Sequence, residues 1–243
     1  MGAFDTVDDE QMSMNNDPHR APPSEPACTS FPLDWFAWSR WARWRERLVS
    51  RLAWGCSAER ELLPFFARHC GANHLDVSVN RGFYLPRVRW PHPCTLTLLR
   101  WHCDPAGHYS RPGRRRVLRY QRGWHVVEHG SGQPFDAISL FALLHTLPGG
   151  AEHKEQVLAY LAAQLHPDGV LVGATVLGKG VRHNLLGRLL LAHDIRQGRR
   201  HPQDDDLFSL QRLLRRRFDE VDLHQVGRIA LFAARRPVSA SAS

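Results

Sequence analysis

An alternation of strand-length and helix-length segments constrains this chain most. The apolar runs His74–Val79, Thr95–Leu99, Phe135–Leu140 and Val170–Val176 are too short for stable helices and predict strands covered on both faces. Helix-patterned stretches follow them. Gly82–Val88 is short. Glu152–Leu165 puts Val157, Leu158, Leu161 and Leu165 on one face, and the Leu-rich stretch Asn184–Arg196 is stopped by Gly198. Asp204–Arg217 opens with acids and closes with arginines, which suits the helix dipole at both ends. Strands that alternate with helices predict a parallel sheet built by right-handed crossovers. The last two apolar runs, Asp219–Val226 and Arg228–Ala234, are parted only by Gly227, so they are expected to pair antiparallel. His166-Pro167-Asp168-Gly169 reads as a turn. Pro105–Arg122 is basic and unpatterned, and its run Arg111–Arg119 reads as a solvated loop.

Ahead of the alternating region the pattern differs. Met1–Ser30 is polar, carries Pro22, Pro23 and Pro26 near its end, and predicts a disordered tail. Leu33–Trp54 predicts a helix capped by Asp34. Trp35, Trp38, Trp41 and Trp44 recur at every third residue, a stripe expected to be buried against the body. Ser57–Cys70 predicts a second helix, ended by Gly71. The division expected is therefore a tail over 1–30, a helical cap over 31–73, an α/β domain over 74–237 and a short tail over 238–243.

Charge narrows the partners. The net charge is +8, although the first segment holds Asp5, Asp8, Asp9, Glu10, Asp17 and Glu25 against the single base Arg20. A basic body can attract anions, but Lys154 and Lys179 are the only lysines among 32 basic residues, which points to an Arg-biased composition rather than to a nucleic-acid surface. No apolar run is long enough to span a bilayer and no secretory pattern opens the chain, so the sequence predicts a cytoplasmic protein. The five cysteines form no CxxC pair, and the histidines show no metal-ligand spacing, so no metal is expected.

Three segments carry a resemblance. His74-Leu75-Asp76-Val77 runs into Gly82-Phe83-Tyr84-Leu85. Phe135-Asp136-Ala137-Ile138-Ser139-Leu140 is followed by Leu143-Leu144-His145-Thr146-Leu147-Pro148-Gly149. Pro167-Asp168-Gly169-Val170-Leu171-Val172-Gly173-Ala174-Thr175 comes after it. Together they resemble the class I S-adenosylmethionine (SAM)-dependent methyltransferases, of the small-molecule type found in natural-product pathways. The resemblance spans about Trp35 to Arg236. It implies a Rossmann-like fold: a seven-stranded, mostly parallel sheet with an antiparallel C-terminal hairpin and an N-terminal helical cap. The cofactor would lie across the carboxyl ends of the first strands.

The same resemblance assigns residues. Asp76, Ser78, Asn80 and Gly82 stand on the turn that holds the methionine end of SAM. The family pattern has three glycines there, because a Cβ blocks close approach of the backbone to the ligand. Here Ser78 and Asn80 replace two of them. The family also places an acid at the end of the second strand to accept hydrogen bonds from the ribose. Arg100 stands near that position and has donors only. Asp104 is the substitute if the strand runs further. A third family acid, near the adenine, falls by spacing at Gly123 or Trp124, with Glu128 the nearest alternative. These departures predict weakened SAM binding. His145, just past the third predicted strand, is the candidate base for a substrate hydroxyl, and His183 lies in a Gly-rich loop on the same side. The functions left open are transfer of a methyl group to a small molecule, an inactive homologue that supports a protein partner or pairs with itself, and a cyclase or isomerase reusing the cavity.

Overall fold

The chain is seen in a computed structural model, which describes residues 40–77, 81–91, 93–103, 110–120, 124–127, 132–198, 201 and 205–238. Within them the strands are β1 (Asn73–Asp76), β2 (Cys94–Cys103), β3 (Ser110–Tyr120), β4 (Trp124–Val127), β5 (Phe135–Phe141), β6 (Leu165–Val176), β7 (Phe218–Val226) and β8 (Ile229–Pro237). They form one eight-stranded sheet in the order β4-β3-β2-β1-β5-β6-β8-β7. Its centre is the expected parallel set: β1 pairs with β2 and with β5, and β5 pairs with β6, all parallel. The closing hairpin is antiparallel and docks through β8 on β6.

Side chains alternate between two cores because successive strand residues face opposite sides. Leu75, Ile138, Leu140, Leu171 and Phe232 face one layer, which α4 (Gly150–Ala162) and α6 (Leu207–Arg215) cover with Val157, Leu158, Leu161, Leu210 and Leu214. Leu96, Leu98, Val172 and Leu231 face the other. There α1 (Arg40–Leu52), α2 (Leu63–Ala67) and α3 (Arg81–Tyr84) are followed or accompanied by the buried Trp54, Phe65, Phe66 and Phe83. One contact needs a missing side chain. A Cβ on Gly173 of β6 would stand 2.3 Å from the Phe232 ring of β8, so only glycine lets that ring lie across the strand.

Several expectations change. The stretch read as a basic loop is strand β3, which runs antiparallel to β2 and passes on to β4. Apolar periodicity was too sparse to reveal it, since its ladder bonds are backbone bonds and its described inward residues are only Val117 and Leu118. This meander adds one strand to the seven that the family pattern implies. The turn His166–Gly169 lies within the span of β6 as an irregularity: Phe135 pairs with Leu165, and the next pair is Ala137 with Val170. The acids before α6 precede the helix instead of forming its first turn. Asp206 is the cap, its side chain accepting from the Ser209 N–H at 2.7 Å. Ser57 caps the segment Ala58–Ala67, and its first turn is π-helical. Trp35 and Trp38 lie outside the described residues, as does the side chain of Trp41. Trp44 is 56% exposed, so the end of the Trp stripe faces outward, while Trp54 beyond the helix is buried.

Candidate active site

Ligands of open α/β sheets bind beyond the carboxyl ends of the parallel strands. Here those ends are Asp76–Val77 on β1, Phe141 on β5 and Val176 on β6. Ala142, directly after β5, has a φ of 61°, left-handed backbone that a non-glycine residue rarely adopts, and its N–H donates to the Ala174 carbonyl at 2.9 Å. Held strain of this kind clusters at binding sites.

Asp76 is fully buried at the end of β1. Its cross-strand neighbour Ser139 on β5 donates from Oγ to Asp76 Oδ1 at 2.5 Å. Behind Ser139 stands His74, also fully buried, with Nε2 at 3.0 Å from Ser139 Oγ. The Gly71 N–H donates to His74 Nδ1 at 3.4 Å. Burial pushes the His74 imidazole down to about 3, so the ring is neutral near pH 7. The sequence reading named Asp76 but missed Ser139 and His74. The signal was present as polar residues inside two otherwise apolar strands, where a polar group needs a partner.

The remaining expected cofactor residues are only partly placed. Ser78, Asn80 and Asp104 lie outside the described residues. Gly82 is the second residue of α3, on the chain that leaves the end of β1. Strand β2 does run further than the sequence suggested, to Cys103, but it leaves β1 at Leu98 and continues in pairing with β3 alone. The extension carries the chain roughly 16 Å past the end of the parallel pairing, at about 3.3 Å per residue. Level with the end of β1, β2 therefore offers Leu99 and Arg100, and no acid. The adenine-side position at Trp124 opens the antiparallel strand β4.

His145 sits in the single turn Leu144–Thr146 and is buried. Its Nδ1 accepts from the Val176 N–H at 3.2 Å and lies 3.2 Å from Thr175 Oγ1. A backbone N–H can only donate, so Nδ1 is the acceptor and the proton of a neutral ring rests on Nε2. The acceptor nitrogen is thus already used. These bonds brace the β5 turn against β6. Around it, the Lys154 ammonium of α4 pairs with the Asp205 carboxylate, both nearly buried, and the Asp205 carbonyl accepts from Gly178 N–H at 2.9 Å and Lys179 N–H at 3.0 Å. These contacts fix the loop after β6.

His183 in that loop is arranged differently. Its Nε2 donates to the Leu177 carbonyl at 2.9 Å, which leaves Nδ1 as the acceptor, and Nδ1 is buried without a hydrogen-bond partner. Burial lowers its pKa, with the backbone bond acting the other way and Arg228 lowering it further. Beside it, the Asn184 side chain caps α5 (Leu185–Arg196) and donates to the Leu52 carbonyl at 2.6 Å, so the end of α1 abuts the start of α5. Leu48 and Leu52 on α1 and Leu185 and Leu189 on α5 are exposed. An open groove of about 450 Å³ lies at the opposite, amino end of the strands, lined by Asn73, Arg115, Gln133 and Gln164. It is remote from the chemistry that the topology places at the carboxyl ends.

No protein-family model matches the chain. Curated relatives do. It is 33% identical over 196 residues to the physcion biosynthesis cluster O-methyltransferase of Aspergillus chevalieri, covering 78% of this chain and 86% of that protein. It is 37% identical over 201 residues to the methyltransferase ctvB of Aspergillus terreus, covering 76% and 84%. Among solved structures, a possible exported protein of Bordetella parapertussis shares the fold with a TM-score of 0.50 at 14% identity, over 90% of this chain and 76% of that one. No helix among the described residues is long and apolar enough to cross a membrane. Identity at this level over most of both chains, joined to the parallel core and its antiparallel hairpin, makes this chain a member of the class I small-molecule methyltransferases of natural-product pathways.

Proposed function

We propose that the chain binds SAM across the carboxyl ends of β1, β2 and β5 and transfers its methyl group to a small apolar acceptor. The observation that carries this is the buried Asp76 carboxylate, held by Ser139 at the end of β1 where the family's cofactor turn begins. The residues fit one end of the cofactor and not the other. Asp76 and Gly82, with Ser78 and Asn80 by sequence, suit the cationic methionine end. The ribose end finds Arg100 at the level where an acceptor is needed, so binding is weaker than in family members that keep the acid. When bound, SAM supplies an electrophilic methyl group on a positively charged sulfur.

The chain itself supplies alignment, the main source of rate in such a transfer. The left-handed Ala142 and the His145 brace fix the β5 turn that faces the acceptor. The exposed leucines of α1 and α5 give an apolar wall for the substrate. Where the acceptor must lose a proton, the candidates are His145, just past β5, and His183, whose Nδ1 has no hydrogen-bond partner but is buried beside Gly187. The test is calorimetric titration with SAM and S-adenosylhomocysteine, followed by transfer of labelled methyl to a panel of phenols and amines. Binding with transfer to any of them supports the reading, and absence of cofactor binding overturns it.

A further inference from the structure

The sequence of hydrogen bonds behind Asp76 runs in one direction. His74 Nδ1 takes the Gly71 N–H, and a neutral imidazole has only one acceptor nitrogen, so Nε2 must carry the proton and donate to Ser139. The Ser139 hydroxyl thus receives a bond and spends its own single proton on Asp76 Oδ1. Nothing in the chain is free to reverse. His74 is itself locked between the rings of Trp90 and Phe66, at centroid distances of 5.1 and 5.8 Å. All three polar side chains are fully buried, and they join two central strands, β1 and β5, at the end of β1 and two residues before the end of β5.

A carboxylate turned the wrong way does not meet a ligand's cation, so its rotation matters to binding. We infer that His74 and Ser139 are positioning residues for the cofactor: together they fix the rotation of Asp76 and so set the affinity of the methionine end of SAM. The inference rests on the SAM reading above. It explains why two adjacent apolar strands each carry a polar residue with no contact to solvent. It also assigns a binding role to two side chains that act through Asp76.

The experiment is titration of the full chain and three variants with S-adenosylhomocysteine, together with steady-state kinetics for SAM. Ser139→Ala removes the donor to Asp76. His74→Phe keeps a ring in the aromatic slot but cannot donate, and His74→Gln restores a neutral donor. Losing one bond to a charged group is expected to weaken affinity about tenfold or more in Ser139→Ala. In His74→Phe the expected loss is smaller, a few-fold, because the Ser139 proton can still reach Asp76. His74→Gln should recover most of it. KM for SAM should rise while kcat at saturating SAM stays near that of the natural protein. A purely structural role would lower the melting temperature and leave the affinity of the folded protein unchanged. Ser139→Ala binding within twofold of the natural protein overturns the inference, and this remains readable if His74→Phe does not fold. If the natural protein itself fails to bind, the SAM reading falls first and the inference with it.

Discussion

Replacing His74 by Gln should flatten the acid limb of this protein's stability. The imidazole is fully buried, and burial lowers its pKa from 6.5 to about 3. Between those values the unfolded chain binds a proton that the folded chain refuses. The contribution of His74 to stability is therefore complete above pH 6.5 and is lost as pH falls towards 3. One pH unit inside that window is worth about 1.4 kcal/mol. Going from pH 7 to pH 4.5 should cost the natural protein roughly 2–3 kcal/mol more than it costs His74→Gln, whose amide does not titrate. Urea unfolding followed by tryptophan fluorescence at the two pH values measures this. Carboxylates and the other histidines are common to both proteins and cancel in the comparison. If both lose the same stability over that range, His74 is not the buried neutral donor that the Ser139–Asp76 arrangement requires.

Other substitutions separate packing from chemistry. Gly173→Ala should destabilise by about 1–3 kcal/mol in the same urea assay, because its Cβ would meet the buried Phe232 ring at 2.3 Å. Lys154→Met should cost about 3 kcal/mol by leaving the nearly buried Asp205 carboxylate without its cation, and adding Asp205→Leu should recover much of it. His183→Gln should lower kcat on a hydroxyl acceptor by about a hundredfold with unchanged affinity for S-adenosylhomocysteine. His145→Gln should instead lower the melting temperature, since it disturbs the acceptor of the Val176 N–H; a larger kcat loss in His145→Gln than in His183→Gln would make His145 the base.

The parallel core was legible because its strands are continuous apolar runs and the helices between them carry a clear face. Leu75, Ile138 and Leu171 need no partner other than each other. The hairpin was legible from Gly227, whose positive φ of 60° and close approach to the Trp54 carbonyl leave no room for a side chain. Strand β3 was not, because arginines dominate it and its order comes from backbone pairing with β2. The candidate site was legible in the same uneven way. Asp76 follows from the turn after β1, but the hydrogen bonds of His145 did not follow from its place in the sequence. Only the Val176 N–H on Nδ1 shows that its lone pair is spent. The link from Asp76 to Ser139 spans 63 residues and exists only once β1 and β5 are in register.

The proposed function depends on the proposal that the chain binds SAM, with a well-held methionine end and a ribose end that lacks its acid. Calorimetry on the natural protein and on Arg100→Asp tests it most directly. S-adenosylhomocysteine should bind one-to-one to the natural protein, and about tenfold more tightly to Arg100→Asp, where a carboxylate supplies one charge-assisted acceptor. No binding to either protein, or tighter binding to the natural protein than to Arg100→Asp, would contradict it.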